Sequence, residues 1–188
     1  MITWIVIGVI VLALLYGVAI YNGLVRLRAL VREAFSGITV QLRRRADLVP
    51  NLVSTVQGYA THERETLDQV IAHRGDAVNA GSVAATAAAD NAMTAMLGRL
   101  FAVAEAYPDL KADENFRQLQ NELSELETEL QGARRYYNAT ARDLNTKVKS
   151  FPDLFFAGPM GFTEEPYYQD GDASIQVAPK VEFGRPAA

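Results

Sequence analysis

The chain is 188 residues long, carries a formal net charge of -4 and contains no cysteine. This excludes a disulfide framework, a thiolate metal site, a cysteine nucleophile and palmitoylation. It gives no reason to expect nucleic acid as a partner. The length suits an anchor plus one domain, and the charge is uneven. Residues 22–74 hold eight Arg against five Asp or Glu, whereas residues 75–188 hold ten Lys or Arg against seventeen acids. A basic part followed by an acidic one is the order expected of a domain hung beneath an anionic leaflet.

Residues 2–20 hold no charged side chain and consist mostly of Ile, Val, Leu and Ala. At 1.5 Å per residue such a helix covers roughly the 30 Å of a bilayer core. A secretory signal would need a basic start, a shorter apolar run and a small-residue cleavage site, but here the apolar run continues through Ala13 and Ala19. Residues 1–21 therefore read as a transmembrane anchor, with Trp4, Tyr16 and Tyr21 suited to its two interfaces. Arg26, Arg28, Arg32, Arg43, Arg44 and Arg45 follow, against Glu33 and Asp47. This bias places the N-terminus outside and the rest of the chain in the cytosol. The same arginines either contact anionic headgroups or only enforce topology.

Beyond the anchor, Leu24, Val31, Ile38, Leu52 and Tyr59 form one seven-residue column, interrupted by Arg45. Phe35, Leu42, Val49 and Val56 form another. Both keep phase across Pro50, which favours one helix continuous with the anchor, kinked or not at Pro50. The alternative is a break, with Asp47 as N-cap and Pro50 in a new first turn. Gly75 should end this helix after His73-Arg74. Residues 75–91, with Gly81, Ser82 and a run of Ala and Thr, read as a loose connection. A third helix is expected over residues 91–107, with Met93, Met96, Leu97, Leu100, Phe101 and Ala104 on one face and Pro108-Asp109 ending it. Asp109 or Asp113 can cap the next helix.

Phe116, Leu123, Leu130, Tyr137, Leu144 and Phe151 then recur every seven residues, beside Leu119, Leu126 and Ala133. These are a and d positions of a long helix over residues 112–150, about 58 Å in length, which Pro152 ends. The expected fold is all-α: the transmembrane helix, then an antiparallel up-and-down bundle of three or four long helices over residues 22–152, the number depending on Pro50. Residues 153–168 form an apolar, turn-rich segment containing Phe155, Phe156, Met160 and Phe162. Residues 169–188 read as a flexible tail. The alternation at Ile175-Gln176-Val177 and Val181-Glu182-Phe183 leaves open that this tail adds a strand to a neighbour.

Catalytic chemistry is hard to place. His62-Glu63 begins like a zinc-protease motif, but Thr66 stands where the second ligand should be. No Glu-x-x-His pair serves a di-iron site, and neither a phosphate loop nor G-x-S-x-G occurs. Glu122, Glu125, Glu127 and Glu129 lie mostly off the apolar columns and read as a solvated face. No cofactor is expected. One polar cluster interrupts the apolar pattern: Arg43, Arg44, Arg45, Asp47 and Asn51, with Gln41 beside them. Arg45 falls in a core column. It either pairs with Asp47, Asn51 or a carboxylate of another helix, or snorkels out at the bundle edge.

Several long segments resemble the LemA family of bacterial membrane proteins. They are Tyr21-Asn22-Gly23-Leu24-Val25-Arg26-Leu27, Ala34-Phe35-Ser36-Gly37-Ile38, Gln41-Leu42-Arg43-Arg44-Arg45-Ala46-Asp47-Leu48-Val49-Pro50-Asn51-Leu52-Val53, Tyr107-Pro108-Asp109-Leu110, Arg134-Arg135-Tyr136-Tyr137-Asn138, and then Phe151-Pro152 and Gly161-Phe162. The resemblance covers about residues 20–168, and Thr39 and Ala46 replace residues that are usually more polar. It implies an N-terminal transmembrane helix and a cytosolic antiparallel bundle in the bacterial cytoplasmic membrane. It implies no known enzymatic activity. Relatives include a magnetosome membrane protein, and genes of the family often lie near membrane zinc metalloproteases.

The functional expectation is a non-enzymatic, membrane-anchored scaffold. It would form a homo-oligomer and organise or shape membrane lipid, with Phe155, Phe156, Met160 and Phe162 as a contact. The alternative is an adaptor that binds and regulates a membrane protein such as a metalloprotease or sensor through the cluster from Arg43 to Asn51.

Overall fold

The apolar run does not end where the bundle begins. In a computed structural model of the chain, which describes residues 1–169, a single helix α1 (Ile2–Tyr59) carries the sequence from the membrane-length segment to the far end of the bundle. Pro50 lies inside it. Of the two readings at Pro50 the continuous helix is the one formed, because Leu24, Val31, Ile38 and Leu52 and also Leu42, Val49 and Val56 all stay buried along one stripe. An 18-residue apolar window near the start of α1 has none of its residues buried against the rest of the chain. It is long and apolar enough to cross a membrane.

The remaining elements are α2 (Arg64–His73), α3 (Asp76–Asn79), α4 (Val83–Ala104), α5 (Pro108–Ala112), α6 (Glu114–Lys149) and α7 (Leu154–Ala157). Every element among the described residues is helical. The expected tail beyond Gln169, with both of its alternating segments, lies outside the described residues.

Two boundaries differ from expectation. The first long helix stops at Tyr59 rather than near His73, and α2 folds back so that Leu67 and Val70 join the core of Val49, Val53 and Val56. Neither Gly nor Pro occupies the turn at residues 60–63. The reversal is driven by burial of a short apolar face, which no local breaker announces. Residues 75–91 are not a loose connection either. They contain α3 and the first turns of α4, where the Ser82 hydroxyl accepts the Ala85 N–H at 3.2 Å. With that cap in place, the following alanines supply the highest intrinsic helix propensity of any residue.

Helix α6 starts as expected at Asp113, whose carboxylate accepts the Phe116 N–H at 2.9 Å. Glu114 in its first turn and Lys147 and Lys149 in its last complement the helix dipole. Phe116, Leu123, Leu130, Tyr137 and Leu144 are buried in the expected column. Phe151, assigned to the same column, lies past the helix end and is 81% exposed. The buried face also drifts toward Arg134, Ala141, Asn145 and Val148, because 3.6 residues per turn precess against a strict seven-residue repeat.

Helices α1 and α6 run antiparallel in one constant register. Tyr59 meets Asp113, Arg45 meets Glu127, Arg44 meets Glu129, Phe35 packs on Tyr137, and Gly23 lies against Lys147. The two residue numbers of each pair add to between 170 and 173. The core divides into two apolar clusters. One lies near the membrane-length segment and includes Ile20, Leu24, Ile38, Leu130 and Leu144. The other is distal and includes Val49, Leu52, Leu67, Leu97 and Phe116.

Candidate functional site

Between the two clusters lies a buried polar node. On α1, Arg45 falls between Leu42 of one cluster and Val49 of the other. On α4, Asp90 falls between Ala87 and Met93 in the same way. Asp90 is wholly buried. One of its oxygens accepts from Arg45 Nη1 at 2.9 Å. The other accepts from Arg134 Nη2 and from the Tyr168 hydroxyl, the latter at 2.7 Å. Glu127 completes the node, 3.5 Å from Arg45 and 3.4 Å from Arg134. The Thr94 hydroxyl accepts a further bond from Arg45 at 3.0 Å and donates one to the Asp90 backbone carbonyl at 3.0 Å. Two guanidinium groups and two carboxylates thus balance within the node, Glu127 at its half-buried edge, and such pairing is the condition under which buried charge is tolerated.

Tyr168 reaches this node because the chain after α7 returns along α6. The turn at its start needs Gly161, whose φ is +75°. Phe162 then donates its N–H to the Ala157 carbonyl at 2.9 Å, the closing bond of a Schellman-type cap. From there two asparagines clamp the extended backbone. The Asn145 amide exchanges two hydrogen bonds with Glu165, at 2.8 and 2.9 Å. The Asn138 amide does the same with Tyr168, at 2.8 and 3.0 Å. Seven helical residues rise about 10.5 Å and three extended residues span about 10 Å, so the two ladders match. The Tyr137 hydroxyl donates to the Pro166 carbonyl at 2.7 Å between them.

Electrostatics follow burial. Burial and the adjacent Asp90 carboxylate push the Tyr168 phenol far above its usual range. Burial, with Glu165 nearby, raises Tyr137 to about 12. Burial lowers the Arg134 pKa, but Asp90 and Glu127 more than offset this and the net shift is upward. The Tyr168 phenol therefore stays neutral and the Arg134 guanidinium charged through the physiological range. The interlocking ion pairs of the node offer rigid registration.

The polar cluster expected from sequence separates. Arg45 turns inward, and its partners are carboxylates of other helices, not Asp47 or Asn51, nor does it snorkel. Arg43, Arg44, Asp47 and Asn51 face outward. Arg44 bonds Glu129 at 2.8 Å and Gln41 at 3.1 Å. Arg44 and Asp47 line a shallow groove with Glu122, Glu125 and Glu129. Glu127 is not part of the solvated face assigned to it. His62 is exposed, and His73 pairs with Asp76 at 2.6 Å. Of the apolar segment, Phe155 is 67% exposed, whereas Phe156 and Met160 pack against the core. Phe162 is buried: it meets Tyr21 edge-on at 5.8 Å, and the Arg28 guanidinium lies 4.0 Å above its ring. It is a core residue, not a free contact.

Arg134 and Asn138 enter the sequence reading only within a segment of the resemblance, and Asp90 and Asn145 do not enter it. Asp90 and Arg134 nevertheless carry a signal. Asp90 shares a helical stripe with Met93 and Leu97, and Arg134 lies between Leu130 and Tyr137 on another. Opposite charges on two apolar stripes are complementary.

A family model described as the LemA family matches residues 34–183. Magnetosome proteins MamQ 1 and MamQ 2 of Paramagnetospirillum magneticum are each 26% identical over 184 residues, covering 82% of this chain and 68% of the relative. Protein LemA of Metamycoplasma hominis is 30% identical over 132 residues, covering 69% of this chain and 60% of that protein.

Proposed function

The chain belongs to the LemA family, and from that premise we propose that it is a non-enzymatic, membrane-anchored scaffold whose copies associate side by side and organise or shape the membrane. The observation that carries this reading is the unbroken α1, which joins a membrane-length segment to the bundle without a linker. Each bundle is then held at a set angle to the bilayer. Copies confined to one plane meet at high effective concentration, and a fixed orientation favours closed, symmetric assembly. The buried node supports the same reading, since it stiffens the rod instead of opening a cavity. The arginines after residue 21 favour a cytosolic bundle under the bacterial cytoplasmic membrane. Relatives named as magnetosome proteins are tied by name to a cellular structure and to no reaction. Extraction of the full-length protein in mild detergent, with mass measured by mass photometry, tests the proposal. A discrete assembly many times the 20.6 kDa chain supports it. A single chain per micelle overturns it.

A second reading, an adaptor for a membrane protease or sensor, is favoured by the outward groove of Arg44, Asp47, Glu122, Glu125 and Glu129. Its mixed charges suit a polar partner surface. Crosslinking in the native host should then recover one dominant, different protein. Recovery of this chain alone sinks the adaptor.

A further inference from the structure

We propose that the corner between α6 and α7 is a second membrane contact, in which Phe151, Leu154 and Phe155 enter the bilayer interface beside the transmembrane helix. These side chains are 81%, 53% and 67% exposed. Three large apolar groups open to water on one short segment mark a binding surface rather than scatter. The register of α1 against α6 says what covers them. Carried from Lys147 and Gly23 to Lys149, the last residue of α6, it reaches residues 21–24 of α1, so Phe151, two residues further on, comes where the apolar run of residues 2–20 ends and the membrane interface begins. The packing agrees: Ala157 and Phe162, on either side of the following turn, share a cluster with Ile20 and Leu24.

The charges are arranged to permit entry. Asp153 is the only charged residue between Phe151 and Phe162. It is turned inward, with its carboxylate 3.0 Å from Lys147 Nζ, so α7 presents no free anion to the lipid. Exposed Arg26 lies just below, at the depth of anionic headgroups, beside Lys149, which pairs with Glu164 at 2.7 Å. Phe151 and Phe155 brace each other edge-on at 5.9 Å. An apolar face of this kind sits some 5–10 Å into the headgroup boundary. With the anchor on one side and this corner on the other, the bundle is held at two points and cannot pivot about α1.

The inference rests on residues 2–20 spanning the membrane, and one experiment separates the two. The full-length protein is reconstituted into phosphatidylcholine–phosphatidylglycerol vesicles containing lipid brominated near either the headgroup end or the terminal methyl of the acyl chain. Trp4 is the one tryptophan of the chain. Its quenching in the unsubstituted protein reports the anchor alone. The F155W variant in a W4F background reports the corner, and so exposed a site tolerates the exchange; unchanged far-UV dichroism checks this. Loss of emission that is greatest with bromine near the headgroup is expected. No quenching by either lipid, while Trp4 is quenched, overturns the proposal, whether the corner then faces water or a second copy. F151W, read in the same way, must agree.

Discussion

Arg45 on α1 and Asp90 on α4 form a hydrogen-bonded ion pair at 2.9 Å, with Asp90 wholly buried and Arg45 only 7% exposed. The pair joins two helices at the plane where the apolar core divides. A buried ion pair adds little net stability, because desolvation offsets its attraction, but it penalises every arrangement that leaves one charge alone. Long apolar columns tolerate sliding by a turn. A charge that must meet its partner does not, so the node sets the register that heptads leave open.

Asp90→Asn should therefore be far costlier than its small change in shape implies. The buried Arg45 and Arg134 would keep only the partly exposed Glu127 as a carboxylate partner. A loss of about 3–5 kcal/mol is expected for breaking a buried pair from one side, read as a lower denaturant midpoint by circular dichroism. A loss below about 1 kcal/mol, the scale of an ordinary exposed pair, would show the node to be wetter than its burial implies.

Arg45→Leu tests the same pair from the other side. Alone it leaves Asp90 with Arg134, and it too should destabilise. Combined with Asp90→Asn it closes a double-mutant cycle, and contacting charges should couple by about 0.5–3 kcal/mol. Additive effects would deny the pair a joint role, and unchanged stability and assembly in Arg45→Leu would remove the register argument.

How far the node could be read from sequence depends on which residues carried a periodic signal. Arg45 was conspicuous, because a charge interrupted a column that was apolar on both sides, and its need for a partner followed from burial alone. The partner's identity did not follow. Asp90 lies in an alanine-rich stretch whose weak contrast between faces hid its direction, and the same weakness made the start of α4 look like loop. Phe162 escapes such a reading because a residue after a helix has no period to place it. Its burial depends on Gly161 and Arg28, which lie far apart in sequence. The long helices were legible because they repeat. The returning segment was not, because two amides on α6 supply its pairing and no alternation of its own does.

Those amides give a local prediction. Replacing Asn138 and Asn145 with Ala removes four hydrogen bonds to the segment that delivers Tyr168. Each bond contributes about 0.5–1.5 kcal/mol net, so hydrogen exchange at Glu165 and Tyr168 should rise steeply while amides in the middle of α6 stay protected. Equal acceleration across both would mean that the segment and the bundle open as one unit.

Alkaline pH should act through the two tyrosines of this segment's docking site. In the unfolded chain both ionise near the usual 10. In the folded chain Tyr137 holds its proton to about 12 and Tyr168 beyond that, burial being the main cause for each. The folded state thus binds more protons than the unfolded state above pH 10, and stability falls as pH rises. Its contribution is complete below 10 and is lost through 12, while the arginines remain charged. Tyrosinate absorbance should show the Tyr137 and Tyr168 phenols ionising only as helicity collapses. In Tyr168→Phe one of these two late groups should vanish, and the Asp90 carboxylate loses a donor. If no tyrosinate signal accompanies the loss of helicity, the two phenols are solvated and the segment is not docked.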